Sequence, residues 1–254
     1  MEEYRALITT AYGVDLTDRG MCDMRTEDIS VSKDEFDQNN FKDIERWVTS
    51  NPSGTEFGWS YYYQNIYYAN AIINKKNEIT EGSEAEINQL VGEAYFMRGY
   101  MHFLLVNLYG QPYTKEGAPT SKAIPLKLSL DLEEMPTRNT VEEIYASILS
   151  DIENARQLIN HKEWETGYNY RFSKLAVDAF ESRVRLYKGE WQTAYNAAER
   201  VLEQKSTLED YNNNNSTDFQ MPNTYTSVES ITAYENVYSR NGINASLATP
   251  TFVK

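Results

Sequence analysis

The sequence predicts an all-α protein made of tetratricopeptide-like helical hairpin repeats with long irregular loops. Three observations predict this fold class. Apolar residues recur at helical spacing in several separate stretches of the chain. One of these stretches, around residues 84–109, is apolar on nearly every face. The last two stretches are separated only by a short turn that contains a glycine, which predicts an antiparallel helix pair.

The first predicted helices lie before residue 110. A short helix is expected within residues 1–20, and a second runs from about Trp59 to Asn77 with its aromatic and aliphatic residues on one face. A third runs from about Glu84 to Tyr109 and is stopped by the break Gly110-Gln111-Pro112. A helix that is apolar all round must lie between other helices, so we expect this third helix to be central.

Three more helices are predicted after residue 139. Thr140 and Glu143 have the spacing of a capping box, which begins a helix that extends to about residue 159. Ser173 caps the next helix, Gly189 ends it, and Trp191 begins the last one. The small residues Ser182 and Ala194 are expected where these two helices cross, with Trp191 packed over the junction. One hairpin cannot cover its own apolar face, so several must stack.

Irregular segments separate or flank these helices. We interpret 1–254 as a single domain with a helical repeat scaffold at 59–204 and irregular, ligand-side segments at 20–58 and 205–254. A further long loop at 110–139 contains several prolines. Minor strands are expected only near the C-terminal end, within residues 228–238.

Composition excludes several classes of function. The formal net charge of −14 disfavours binding to nucleic acid or to an anionic membrane surface. The single cysteine, Cys22, allows no internal disulfide and no cysteine-based metal site. No apolar run is long enough to span a membrane, and the opening Met1-Glu2-Glu3 does not resemble a signal peptide.

No pattern in the chain predicts catalysis, a cofactor or a metal site. The two histidines, His102 and His161, lack a second ligand at i+3 or i+4. The acidic pairs at 133–134 and 142–143 lie in a proline-containing loop and in a helix cap, which does not suggest a glycosidase. The segment 210–214 begins like a calcium loop but lacks the central glycine and the final glutamate. We therefore expect a protein that is not an enzyme.

Arg98 is the unusual residue of the central helix. It is a charged residue in an almost wholly apolar segment. Burying its guanidinium without a partner would be costly, so we expect a carboxylate or helix-end carbonyls to receive it. A structural ion pair is the favoured interpretation, and ligand contact is the alternative.

The remaining candidate site lies in the segment 20–58, which combines aromatic rings with carboxylates and amides. Aromatic faces suit the apolar C–H surfaces of sugars, and carboxylates and amides suit their hydroxyl groups. The candidate ligand-binding residues are Asp28, Asn39, Phe41 and Trp47. The same mixture also occurs in any polar loop that packs on a helical scaffold.

The order of these blocks resembles the SusD/RagB family, the outer-membrane nutrient-binding lipoproteins of Bacteroidetes. The matching blocks, in order, are Trp59-x-x-x-Tyr63-x-x-Ile66-x-x-Ala69-Asn70, Leu108-Tyr109-Gly110-Gln111-Pro112, Arg138-Asn139-Thr140-Val141-Glu142-Glu143, Arg171-Phe172-Ser173-Lys174-Leu175-Ala176 and Gly189-Glu190-Trp191. Members of this family are longer than this chain, which implies a truncated, N-terminal part. Asp178 and Glu181 depart from the apolar residues expected in the repeat.

The resemblance implies non-catalytic capture of glycans or other nutrients at the cell surface. The implied partner is a SusC-type TonB-dependent transporter in the outer membrane, over which the protein lies as a lid. The implied membrane attachment is a lipid on an N-terminal cysteine that this sequence lacks. Within the region of resemblance, Asp28 and Trp47 lie where an acid and an aromatic residue are sometimes used for ligand contact.

Two other functions remain open at this stage. A tetratricopeptide scaffold that binds a peptide or protein would need a groove of Asn, Lys and Arg on its inner helices. Ser182, Arg183, Arg185 and Asn196 provide only a sparse version of such a groove. An all-α glycoside hydrolase would need two carboxylates facing a cleft, and release of reducing sugar would detect it.

Overall fold

The computed structural model describes residues 59–213 and 226–233 of the chain. All of these residues from 62 onward belong to one compact unit. The described residues form α1 (Trp59–Asn74), α2 (Glu84–Tyr109), β1 (Lys122–Pro125), β2 (Arg138–Thr140), α3 (Val141–Leu158), α4 (Lys174–Lys188) and α5 (Trp191–Leu202), together with three short 3₁₀ turns. Helices dominate this architecture, so the predicted all-α fold class is confirmed.

The ends of α2 are fixed by local hydrogen bonds. Ser83 accepts a hydrogen bond from the backbone amide of Glu86, whose side chain accepts one from the amide of Ser83, which makes a capping box. At the other end the Gly110 amide donates to the Val106 carbonyl at 2.9 Å. A Cβ atom at position 110 would lie only 2.5 Å from that same carbonyl oxygen, which explains the glycine. The predicted limits of α2 are confirmed, although sequence reasoning missed the Ser83 cap.

The body of α2 is enclosed by protein. From Gln89 to Val106 every residue is buried except Leu90, Tyr95 and Leu104, which are half-buried. Its fully buried apolar side chains are Val91, Ala94, Met97, Met101, Leu105 and Val106. Burial on every side requires neighbouring helices, and α3 and α4 both contact α2. The prediction of a central helix is therefore confirmed.

An aromatic cluster joins α2 to α4 around Phe180. The ring of Phe180 lies 5.1 Å from that of Phe96 and 5.6 Å from those of both Tyr100 and Phe103, between ring centroids. Phe96 also stacks on Phe172 at 4.0 Å. Such pairs add about 0.5–1.5 kcal/mol each beyond the area they bury. The aromatic residues of α2 thus act mainly in packing.

The second half of the scaffold follows the predicted caps. Thr140 and Glu143 form the capping box of α3, and the Ser173 hydroxyl accepts from the Ala176 amide at the start of α4. Gly189 ends α4 with φ of +81°, a left-handed conformation that favours glycine. The Ser182 hydroxyl donates to the Ala194 carbonyl at 2.9 Å, so the two predicted small residues do meet at the helix crossing.

The segment 110–139 differs from the prediction of a loop without secondary structure. It contributes β1 and β2, which pair antiparallel between Lys122 and Thr140 and between Pro125 and Arg138, with an irregular register between them. The buried side chains of Ala123 and Ile124 anchor the pair. The strand that we expected within 228–238 is absent from residues 228–233, which form turns and bends, and residues 234–238 lie outside the described part.

Gly92 of α2 lies against the C-terminal end of α3 and the residue that follows it, Ile159. A Cβ atom there would lie 2.8 Å from Cγ1 and 2.9 Å from the backbone nitrogen of Ile159. We expect Gly92→Ala to lower the free energy of unfolding by about 1–3 kcal/mol, because a backbone atom must move to admit the methyl group. Urea unfolding would measure this loss. Gly99→Ala on the same helix is the matched control, since its nearest contact would be the Asp151 Cβ at 3.2 Å. An equal effect at both positions would contradict the steric argument.

Candidate functional site

The four predicted ligand-binding residues, Asp28, Asn39, Phe41 and Trp47, all lie outside the described residues. Their assignment stays a prediction. Within the described part, most charged side chains hold the scaffold together, and several aromatic side chains are exposed to solvent.

Arg98 forms the buried ion pair that its position on α2 predicts. Its Nε and Nη2 atoms donate to the two carboxylate oxygens of Asp151 on α3, at 2.9 and 2.5 Å. Its Nη1 atom donates to the side-chain oxygen of Asn70 on α1 at 2.9 Å. Only 9% of the Arg98 side chain and 2% of that of Asp151 are exposed. This bidentate geometry joins three helices, so the predicted structural role of Arg98 is confirmed.

A second buried network, which sequence reasoning missed, ties α2 to the connection between α3 and α4. Arg171 donates to the buried carboxylate of Glu93 at 2.6 Å, and Gln89 donates to the same group at 2.8 Å. The Arg171 guanidinium also lies over the Trp164 ring, 4.2 Å from its centroid. The sequence signal that could have shown this network is Glu93, the one acidic residue between Gln89 and Tyr109 in a largely apolar segment of helical period.

The two acids that depart from the repeat pattern take part in a third network. Asp178 accepts hydrogen bonds from Arg156 at 2.6 Å and from Arg200 at 2.9 Å. Glu181 accepts from the same two arginines, each at 2.6 Å. The charges that would weaken an apolar helix interface are therefore paired across α3, α4 and α5, which accounts for Asp178 and Glu181.

One acid of each pair named in the sequence analysis also has structural partners. The Glu143 carboxylate accepts from the Thr140 amide at 2.8 Å, and this hydrogen bond holds its pKa below the usual value. Glu134 accepts from Lys127 at 2.7 Å, which with Ser129 lowers the pKa of that carboxyl. Both carboxylates are committed to local structure. The geometry therefore gives no support for a catalytic acid at either position.

The histidines and the polar segment after α5 show no metal-site geometry. The His102 ring is fully buried in α2, whereas His161 is exposed and stacks on Trp164 at 3.8 Å. The Asp210 carboxylate accepts from the backbone and side chain of Asn212, both at 2.9 Å. Among the residues that the structure describes, no three His, Cys, Asp or Glu side chains converge on a possible metal position.

The outer face of α5 is the most exposed aromatic surface of the helical scaffold. Trp191 is 63% exposed and Tyr195 is 58% exposed. Sequence reasoning expected Trp191 to pack over the helix junction, and its ring does lie near Gly189, but most of it remains in solvent. The signal that could have shown this is the helical spacing, because Ala194, Ala197 and Val201 occupy the buried face instead.

These features define a class of protein: an all-α scaffold of packed helical hairpins, pinned by internal ion pairs, with an aromatic outer face. None of the described helices combines the length and the hydropathy needed to cross a bilayer. A family model, SusD-like_3, described as "Starch-binding associating with outer membrane", matches residues 6–186. The chain therefore belongs to this SusD-like family, as the order of its sequence blocks predicted.

Individual relatives agree with this assignment. The chain is 31% identical over 151 residues to SusD-like protein P38 of Formosa agariphila, which covers 59% of this chain and 27% of that protein. A SusD superfamily protein from Bacteroides thetaiotaomicron matches with a TM-score of 0.60 at 29% identity, over 68% of this chain and 38% of that one. A putative sugar binding protein from Bacteroides vulgatus matches with a TM-score of 0.62 at 27% identity, over 74% and 42% of the two chains. The chain thus spans well under half the length of each of these relatives.

Proposed function

We propose that this protein binds glycans or other nutrients at the bacterial cell surface, without catalysis, for delivery to a SusC-type TonB-dependent transporter. The observation that carries the proposal is the family match over residues 6–186, since that family is described as starch-binding and associated with the outer membrane. The B. vulgatus neighbour is itself described as a putative sugar binding protein. The proposed location is the outer surface of the outer membrane, with attachment through an N-terminal lipid.

The chemistry of the described residues supports binding rather than hydrolysis. Glycosidases need one carboxyl group that donates a proton and a second that acts as base or nucleophile. The buried or paired acids of the scaffold, including Glu93, Asp151 and Asp178, each receive hydrogen bonds from arginine. These carboxylates are already used in hydrogen bonds within the scaffold.

The proposed ligand contacts remain Asp28, Asn39, Phe41 and Trp47, through ring stacking and hydroxyl hydrogen bonds. Affinity electrophoresis in gels containing amylopectin, laminarin, xylan or mannan tests the proposal. We expect retarded migration with at least one glycan and no release of reducing sugar over hours. Trp47→Ala should abolish most of the retardation, whereas Tyr168→Ala, which removes an exposed ring elsewhere, should not. Free migration in every gel would count against a glycan ligand.

The alternative of a tetratricopeptide scaffold for a peptide partner has less support. Arg185, one of the residues that would line a peptide groove, donates to Glu190 and Glu181. Arg156 and Arg200 are likewise paired with Asp178 and Glu181. Affinity capture from envelope extract separates the two functions. Recovery of a TonB-dependent transporter supports nutrient delivery, and recovery of a different protein with no transporter supports the alternative.

A further inference from the structure

The geometry points to a glycan-binding platform on the outer face of α5, in which Trp191 and Tyr195 stack on successive sugar rings. This inference rests on the proposed function and adds a surface that is separate in sequence from the segment 20–58. It commits to an uncharged polysaccharide as the ligand. Three features of the face support this choice: the ring spacing, the neighbouring amides and the paired charges.

The two rings are exposed because the interior of the hairpin requires small residues. Ala194 and Ala197 face α4 and are buried, and Ser182 bonds to the Ala194 carbonyl at the crossing. Trp191 and Tyr195 are one helical turn apart, so they lie on one face with their Cβ atoms about 6 Å apart. Two flat rings at this spacing can support neighbouring residues of a glycan chain. Their role is therefore not explained by packing within the described scaffold.

Amide groups lie beside the rings. Gln192 and Asn196 occupy the adjacent row of the helix surface, and the Gln192 amide donates to the Asn196 side-chain oxygen at 3.0 Å. This contact fixes both side chains and uses one donor and one acceptor. The Gln192 oxygen and the Asn196 amide can then bond to sugar hydroxyls, since each side-chain amide carries both kinds of group.

Three cationic side chains near the platform are paired within the protein. Arg185 and Lys188 both bond to Glu190 in the hairpin turn. Arg200, toward the other end of α5, is paired with Asp178 and Glu181. Glu199, one helical turn after Tyr195, adds a carboxylate to this row. The platform therefore presents aromatic rings and amides beside paired cations and a carboxylate, which favours a neutral glycan over an anionic polymer.

The double variant Trp191→Ala/Tyr195→Ala tests the platform. We expect its affinity for the glycan that retards the wild-type protein, chosen among amylopectin, laminarin, xylan and mannan, to fall about tenfold, because two stacked rings are lost. Tyr168→Ala is the matched control, since it removes a ring that is 53% exposed in the loop between α3 and α4. Affinity electrophoresis and isothermal titration calorimetry would measure the change.

The possible outcomes separate the platform from the proposed function. Wild-type affinity in the double variant would overturn the platform and leave the proposed function intact. Failure of the wild-type protein to bind any of the four glycans would overturn the platform and would count against a glycan as the ligand of the proposed function. A change in oligomeric state, or a fall in melting temperature absent from Tyr168→Ala, would show that this face packs against protein and would also overturn the platform.

Discussion

Asp151→Ala is expected to lower the free energy of unfolding by about 3–5 kcal/mol, the usual effect of removing one partner of a buried ion pair. The carboxylate of Asp151 receives two hydrogen bonds from Arg98, at 2.9 and 2.5 Å, and both side chains are almost fully buried. Without it, the guanidinium of Arg98 would keep the side-chain oxygen of Asn70 and the face of the Tyr95 ring, 5.2 Å from its centroid, but no counter-charge. The loss arises mainly from a desolvated positive charge that no longer has a counter-charge.

A second variant distinguishes loss of the charge partner from loss of packing. In Arg98→Met/Asp151→Leu both charges are replaced by apolar side chains, and buried pairs replaced in this way often retain or gain stability. We therefore expect the double variant to be more stable than Asp151→Ala. Urea unfolding followed by circular dichroism gives the free energy of unfolding of both variants. The slope of that free energy against urea concentration shows whether the two variants expose a similar surface when they unfold. A loss below about 1 kcal/mol in Asp151→Ala would place this pair in the range of exposed salt bridges and contradict its burial.

Sequence reasoning predicted the parts of the fold that depend on local signals. The caps at Thr140 and Ser173 and the stop at Gly189 each need only a few neighbouring residues to form. The limits of α2 follow from helical period plus a glycine break. By contrast, β1 and β2 are only four and three residues long and contain Pro125 and Arg138, so neither has a periodic signal. β1 contacts β2, α2 and α3, which all lie outside its own short segment, so a local sequence pattern does not show the strand.

The polar networks also include features that the sequence predicts and features that it does not. The need for a partner at Arg98 could be predicted because the cost of burying a lone charge is general. The identity of that partner could not, because Asp151 is 53 residues away. The exposure of Trp191, by contrast, could have been predicted from the helical spacing, because Ala194, Ala197 and Val201 occupy the buried face of α5. The assignment of Asp28 and Trp47 depends on a part of the chain that the structure does not describe.

Replacing His102 by leucine is expected to remove a large part of the acid sensitivity of the fold. The ring of His102 is fully buried, and among the described residues neither of its nitrogens has a hydrogen-bond partner of good geometry. Burial, together with the positive charge of Arg98, lowers the pKa of His102 from 6.5 to about 3. The native state therefore holds this histidine neutral, whereas the unfolded chain takes up a proton below pH 6.5.

The sign of the effect follows from this difference in proton uptake. Because the pKa is lower in the folded state, the wild-type protein is fully stabilised above pH 6.5 and loses stability as the pH falls toward 3. One pKa unit corresponds to about 1.4 kcal/mol, so lowering the pH from 7.5 to 4.5 should cost the wild-type protein about 3 kcal/mol more than it costs His102→Leu. At pH 7.5 the variant should be as stable as the wild type or more stable by about 1–2 kcal/mol, because two unsatisfied ring nitrogens are removed.

Urea unfolding between pH 4.5 and 7.5 would measure how steeply the free energy of unfolding falls with pH in the wild type and in His102→Leu. Met101→Leu is the matched control, because it changes the adjacent buried side chain of α2 without removing a titratable group. Its stability should fall with pH as steeply as that of the wild type. If the stability of His102→Leu fell with pH as steeply as that of the wild type, acid sensitivity would arise from carboxylates alone. That result would contradict the burial of a neutral His102 in the core.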